Sequence, residues 1–272
     1  MDVRAVRLHT KCDHTLEYFD FTAADALGSF SATTQRLRGC GASLHAMRIH
    51  DPSEKRDNGK GMAANGAVDD IAMAVSPGGH VAGLVSLREQ HKISQVSIGM
   101  MADGMPGEQF RSTDTLSKDA NAADAPFSFP LRHHRWLGLK LPAAGNGRDN
   151  RSDAITRLMR DAPAGSFDSA LLAGGWNLLN QEGLEAFAEA EKRGIEVHNA
   201  ATFASGLLAG GVTYLYSADR VTDELRRRTD AWSDLAAEHG LSLPAVAVAF
   251  AALPACVTKV VIGLSTLNQL QP

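Results

Sequence analysis

Two basic side chains close the first two apolar runs of the chain, Lys11 at the end of "VRAVRLHTK" and His50 at the end of "SLHAMRIH", where Asp51-Pro52 follows at once. An ammonium and an imidazole brought side by side can orient a carbonyl oxygen, because the first is a compact donor and the second is donor and acceptor together. In a strand, residues two apart share a face, so His50 goes with Arg48 and Ala46 while His45 lies on the other face. The cluster "HTKCDH", His9 to His14, invites a metal reading. Only Cys12 and His14 are free of the strand and no fourth ligand is in sight, so no metal is expected.

Positioning Lys11 beside His50 requires neighbouring strands, and the chain supplies them. "VRAVRLHTK" and "SLHAMRIH" alternate as strands around the helical stretch Thr22 to Gly39. Helical "GGHVAGLVSLREQHK" then leads to strand "ISQVSIGM", "SDAITRLMRDA" to "FDSALLAGGW", "QEGLEAFAEAEKRG" to "IEVHNAATF", and "LPAVAVAFAALP" to "VTKVVIG". Six strands, each separated from the next by helix, imply a parallel sheet, either a (β/α)8 barrel or a doubly wound fold. In both, functional residues sit at the carboxyl ends of the strands. Two stretches break the rhythm, Asp51 to Ala74 and Ala102 to Asn150, and both read as long surface excursions.

Composition narrows the class. The chain has 272 residues, 44% hydrophobic and 21% charged, with a formal net charge of -4. That is enough for one α/β domain over residues 1–272. The charge balance leaves no footprint for nucleic acid, and Arg226-Arg227-Arg228 reads as a solvated helix face. Three scattered cysteines, Cys12, Cys40 and Cys256, make no disulfide framework. No signal peptide and no membrane span is legible, so a cytoplasmic protein is expected.

Several separate blocks resemble one family. "LHTK", "RIHDP", "AGGWNLLNQEG", "GIEVHNAATFASGLLAGG" and "CVTKVVIGLSTLNQL" look like the aldo-keto reductases, especially the branch of D-threo-aldose (L-fucose) and pyridoxal dehydrogenases. The resemblance implies a (β/α)8 barrel, here incomplete, with about six β/α units and the two excursions. It also implies that the chain begins at the family's third unit and stops before its closing helix. The implied reaction moves a hydride between a nicotinamide and an aldose, pyridoxal or similar carbonyl or alcohol carbon. Lys11 and His50 match the family's lysine and histidine. The family's tyrosine and aspartate belong to units absent here. Tyr18 and Asp20 are conceivable substitutes, although they read more simply as a loop aromatic and a helix N-terminal carboxylate.

The same resemblance assigns the cofactor residues. Trp176 stands where the family places an aromatic ring against the nicotinamide. Phe203, Ala204, Ser205, Gly206 and Leu207 match the loop whose amides approach the pyrophosphate, and Gly263, Leu264 and Ser265 match the adenosine end. No Lys or Arg follows the last strand there, so NAD is expected rather than NADP. Met101 stands where relatives often have an asparagine for the carboxamide. The alternative function is a catalytically silent relative that binds cofactor only. The partner is a small carbonyl or sugar substrate.

Overall fold

Six parallel strands run in sequence order, β1 to β6, each hydrogen-bonded to the next. They are β1 (Leu8–Lys11), β2 (Leu44–His50), β3 (Gln95–Met101), β4 (Ser169–Ala173), β5 (Glu196–Ala200) and β6 (Val257–Val260). This computed structural model describes residues 6–12, 21–50, 52, 70–101, 151–214, 216–264 and 266–270. His14, Tyr18, Asp20, Ser265, most of the first excursion and the whole of the second lie outside the described residues, as does the side chain of Met101. The described residues fall within one compact unit, 1–103 together with 149–272.

Parallel neighbours need crossovers, and helices provide them. α1 (Ala23–Arg36) begins where the Thr22 hydroxyl accepts from the Asp25 amide at 3.2 Å. α2 (Asp70–Val75) and α3 (His80–Glu89) precede β3, α4 (Arg151–Asp161) precedes β4, and α5 (Leu184–Arg193) precedes β5. α5 stops because Gly194 adopts the left-handed conformation, φ 68°. α6 (Asp223–Glu238) and α7 (Leu243–Ala251) precede β6.

One face of the sheet is covered by these helices. Met47 and Ile49, Val96 and Ile98, and Leu172 and Val197 alternate outward along their strands into a core shared with Leu84, Leu87, Ile155, Leu158 and Phe187. Each fully buried side chain of this kind contributes about 1.5–3 kcal/mol. Polar pins fix the helices to one another and to the sheet: His80 Nε2 meets Asp25 Oδ2 at 2.7 Å between α3 and α1. Arg88 Nη1 donates to Asp168 Oδ2 at 2.7 Å, and that same oxygen accepts from the Val96 amide.

The six expected strands appear in the expected order, and α6 is an addition to the expected helices, its stretch legible in the sequence only as a solvated helix face at Arg226–Arg228. One boundary needs correction: the surface excursion drawn to Ala74 ends instead in α2, which buries Ile71 and Ala74. Six residues are too few to show a helical period, so nothing but packing against the core identifies that turn. The (β/α)8-type architecture is present in part, as six strands of a sheet whose two outer strands, β1 and β6, are not paired with each other among the described residues.

Candidate functional site

All six strands point the same way, so their carboxyl ends share one edge of the sheet. Lys11 ends β1 and His50 ends β2. Lys11 is registered with Arg48, two residues before His50 on the same face. From there the ammonium reaches His50 Nε2 at 2.7 Å. The lysine donates, so His50 carries its ring hydrogen on Nδ1 in this contact, and two further ammonium hydrogens are left for other acceptors. The sequence-based pairing of these two residues is therefore a direct contact at the carboxyl edge.

Below that pair, the face turned away from the helices carries a belt of polar side chains. Arg48 Nη2 lies 3.0 Å from His9 Nδ1 on β1 and 3.1 Å from His198 Nδ1 on β5. Its Nε donates to Ser97 Oγ on β3 at 3.1 Å, and Ser169 on β4 donates to the same oxygen at 3.0 Å. Lys259 Nζ on β6 lies 2.9 Å from His198 Nε2 and 3.2 Å from Glu196 Oε2. Every strand contributes a member.

These contacts measure the curvature of the sheet. In a flat sheet β2 and β5 would stand about 14 Å apart, and β1 and β5 about 19 Å. Yet the rings of His9 and His198 are 5.7 Å apart, centre to centre. The sheet is rolled toward this face, which becomes the interior of a partial barrel. Gly99 on β3 leaves the crossing unobstructed, since a Cβ there would stand 3.2 Å from Arg48 Cδ, closer than an ordinary contact.

The belt's electrostatics follow from its burial. Desolvation, with Arg48 next, pushes His9 down to about 4. His198 is likewise pushed down to about 4 by burial, then by Lys259 and Arg48. Both rings are neutral at pH 7. Arg48 itself is lowered by burial, and its hydrogen bonds go to the neutral acceptors above. The hydrogen bond from Lys259 holds Glu196 below the usual carboxylate range. The belt was not legible in the sequence; alternation along "RIH" and "EVHNA" puts Arg48 and His198 on one face of their strands, but pairing across two intervening strands depends on the roll.

The other sequence-chosen residues are placed as follows. Phe203 to Leu207 lie directly after β5, at the same edge as Lys11 and His50. The backbone there is unusual: Ala201, Ala204 and Ser205 have φ of 57°, 48° and 59°, and Gly206 has 106°. Such conformations cost about 1–3 kcal/mol each for residues with a Cβ and concentrate where a ligand is held. Gly211 packs so closely on this loop that a Cβ would meet Gly206 O at 2.8 Å. Inside it, Thr202 is buried, and its hydroxyl has no hydrogen-bond partner among the described residues. A loop of short side chains in left-handed conformations, with an orphaned hydroxyl, fits a cradle for an anionic group such as a pyrophosphate.

Gly263 and Leu264 follow β6 and are exposed at that edge. Trp176 is 8% exposed, stacks on Phe250 with ring centres 5.0 Å apart, and donates its indole N–H to Phe250 O at 3.2 Å. Burial and Asp25 raise the Cys12 thiol to about 12, so it is inert as a nucleophile. Among the described residues no group of three metal-ligating side chains occurs, and no helix is long and apolar enough to cross a membrane. Near the cradle, Leu207, Gly210, Gly211, Arg226 and Thr229 border a cavity of about 280 Å³. A cavity of about 390 Å³ lies around the Pro163–Phe167 turn before β4, at the opposite, amino-terminal edge of the sheet.

Known proteins share this architecture. The aldo-keto reductase AKR11C1 from Bacillus halodurans, in its holo form, superposes with a TM-score of 0.51 at 15% identity, covering 99% of this chain and 65% of that one. The glycerol dehydrogenase AKR11B4 from Gluconobacter oxydans gives a TM-score of 0.50 at 13% identity, covering 93% and 63%. The chain thus spans just under two thirds of the length of these structures, and the likeness is one of fold. No curated protein matches it. Within the sequence, residues 152–272 match the Aldo/keto reductase family. Sequence and fold converge there: residues 152–272, from α4 through β6, carry an aldo/keto reductase family match, on a sheet that continues back through β1 as an incomplete (β/α)8-type barrel.

Proposed function

We propose that the chain is a nicotinamide-dependent oxidoreductase acting on a small carbonyl or alcohol substrate of the aldose or pyridoxal kind, with NAD preferred over NADP. The observation that carries this reading is the 2.7 Å contact between Lys11 and His50, at the same edge of the sheet as the strained 201–206 loop. When bound, the nicotinamide supplies or accepts the hydride. The chain's own residues do the rest. Lys11, with one hydrogen given to His50, directs its remaining donors at the substrate oxygen and stabilises the negative charge that grows there as the carbonyl is reduced. His50 fixes the direction of the ammonium through the 2.7 Å contact at Nε2.

Phe203, Ala204, Ser205, Gly206 and Leu207 are the proposed pyrophosphate cradle, supported by the left-handed backbone and the orphaned Thr202 hydroxyl. Gly263, Leu264 and Ser265 are the proposed adenosine end, where the unbasic "GLSTLNQ" disfavours a 2'-phosphate. Trp176 enters this reading as packing behind the edge, since a ring 8% exposed offers little area for stacking.

A second reading, binding without turnover, is favoured by one observation. The chain has three tyrosines; the two described ones, Tyr214 and Tyr216, lie beyond the 201–211 loop and not on β1 or β2. Fluorescence titration with NADH and NADPH tests what both readings share. Tighter binding of NADH is expected, and equal or inverted affinities would remove the basis for the NAD preference. Absence of binding to either would overturn both readings.

A further inference from the structure

The Arg48 belt holds a conflict that identifies what it does. Arg48 Nη2 carries two hydrogens, one for His9 Nδ1 at 3.0 Å and one for His198 Nδ1 at 3.1 Å. His198 must then carry its own hydrogen on Nε2, which faces the Lys259 ammonium at 2.9 Å. An ammonium has no lone pair to receive it. In the other tautomer Nδ1–H faces the guanidinium instead. A neutral His198 therefore satisfies Arg48 or Lys259, never both, and a protonated one satisfies neither.

We propose that Arg48 is a positioning residue for the Lys11–His50 pair, acting through a clasp onto His198 that is made by the neutral Nδ1 and released when that imidazole takes a proton. Arg48 and His50 share one face of β2, and Lys11 is registered with Arg48. Tension on the guanidinium from β5 thus fixes the strands whose ends present the pair. Gly99 leaves the path open, and among the described residues no carboxylate hydrogen-bonds Arg48 in place of the clasp. Glu196 stands 3.7 Å from His198 Nε2 and 3.2 Å from Lys259, which makes it the acceptor to which Nε2–H turns in the clasped state.

The charged and titratable groups facing the two rings come from four strands. Arg48 on β2, His9 on β1, His198 and Glu196 on β5 and Lys259 on β6 make up the set together with His45, which simple alternation put on the other face of β2 but which the irregular register between Leu8 and His9 brings to 5.4 Å from the His9 ring. That is three imidazoles and two cations against one carboxylate. Protonating His198 places it between two cations, and repulsion drives Arg48 off. Of the groups acting on His9, Lys259 acts least.

The consequence for turnover rests on the proposed function, but the clasp is read without cofactor or substrate. Histidine ring-nitrogen NMR on the full chain, from pH 7.5 down to about pH 3.5, below the His198 value of about 4, reads tautomer and protonation directly. His198 is expected as the Nε2–H tautomer, unprotonated until the acid end, with the His50 signals changing as His198 titrates. In Arg48→Met its midpoint rises by about one pH unit or more, from loss of a neighbouring cation, and the His50 signals at neutral pH move to those of an imidazole freed from Lys11. His198→Gln supplies an oxygen for Arg48 that cannot titrate, so the His50 signals at neutral pH stay in place and lose the part of their acid response that follows the His198 midpoint. If Arg48→Met does not fold, the comparison of wild type with His198→Gln decides alone. An Nδ1–H tautomer, a His198 midpoint near 6.5, or His50 signals indifferent to both substitutions would overturn the proposal. A failed oxidoreductase reading would leave all of these spectra as expected.

Discussion

Arg48 Nη2 lies 3.1 Å from His198 Nδ1 although two strands separate them in the sheet. The contact is a measure of roll, and it makes the interior face acid-sensitive. His9 and His198 both have folded-state values near 4 against an ordinary 6.5, so between those values the unfolded chain binds more protons than the folded one. Stability is therefore complete above about 6.5 and declines as pH falls toward 4. Urea midpoints across that window should fall by an amount corresponding to roughly 1–3 kcal/mol, discounted for the partial exposure of His9. A flat profile would contradict neutral rings in the belt.

Gly99→Val tests the same crossing from a different strand. The new side chain begins where a Cβ already stands 3.2 Å from Arg48 Cδ. Overpacking costs about 1–3 kcal/mol, and the arginine must leave its track. Chemical denaturation should show that loss together with a rise in the acid midpoint of His198. Loss of stability with His198 unmoved would mean that Arg48 finds another path.

Trp176→Ala should cost about 3–5 kcal/mol in a denaturant titration, because an indole packed on Phe250 and hydrogen-bonded to its carbonyl is replaced by a cavity. Trp176→Phe should cost less, retaining the stack and losing the hydrogen bond. If both variants kept full stability and lost only NADH affinity, the ring would face the cofactor after all.

Gly206→Ala probes the cradle. At φ 106° a side chain is strained, by about 1–3 kcal/mol, and the loop should relax away from its present form. NADH affinity should weaken by about ten-fold, equivalent to about 1.4 kcal/mol. Unchanged affinity in a fluorescence titration, with the fold intact, would move the pyrophosphate elsewhere.

The strand order, and the meeting of Lys11 with His50, were readable from "LHTK" and "LHAMRIH", because alternation fixes faces and parallel pairing aligns ends. Trp176 shows where that reading stops. A tryptophan after a strand looks the same whether its ring faces a ligand or a neighbouring helix, and its stack on Phe250 of α7 appears only in the fold. The Arg48 belt is invisible for a related reason: alternation along one strand says nothing about which strands curvature brings together. α2 escaped because six residues carry no period.

The most direct measurement is isotope transfer. NADH deuterated on its transferable C4 position is incubated with the full chain and an aldehyde of the aldose or pyridoxal kind, and the product alcohol is examined by mass spectrometry. Deuterium on the carbinol carbon is expected with the wild-type chain, at a rate reduced by about 100-fold or more in Lys11→Met, the range for loss of a donor to the reacting oxygen. Bound NADH that transfers no deuterium would establish the silent alternative. Transfer at an equal rate in Lys11→Met would contradict the site built on Lys11 and His50.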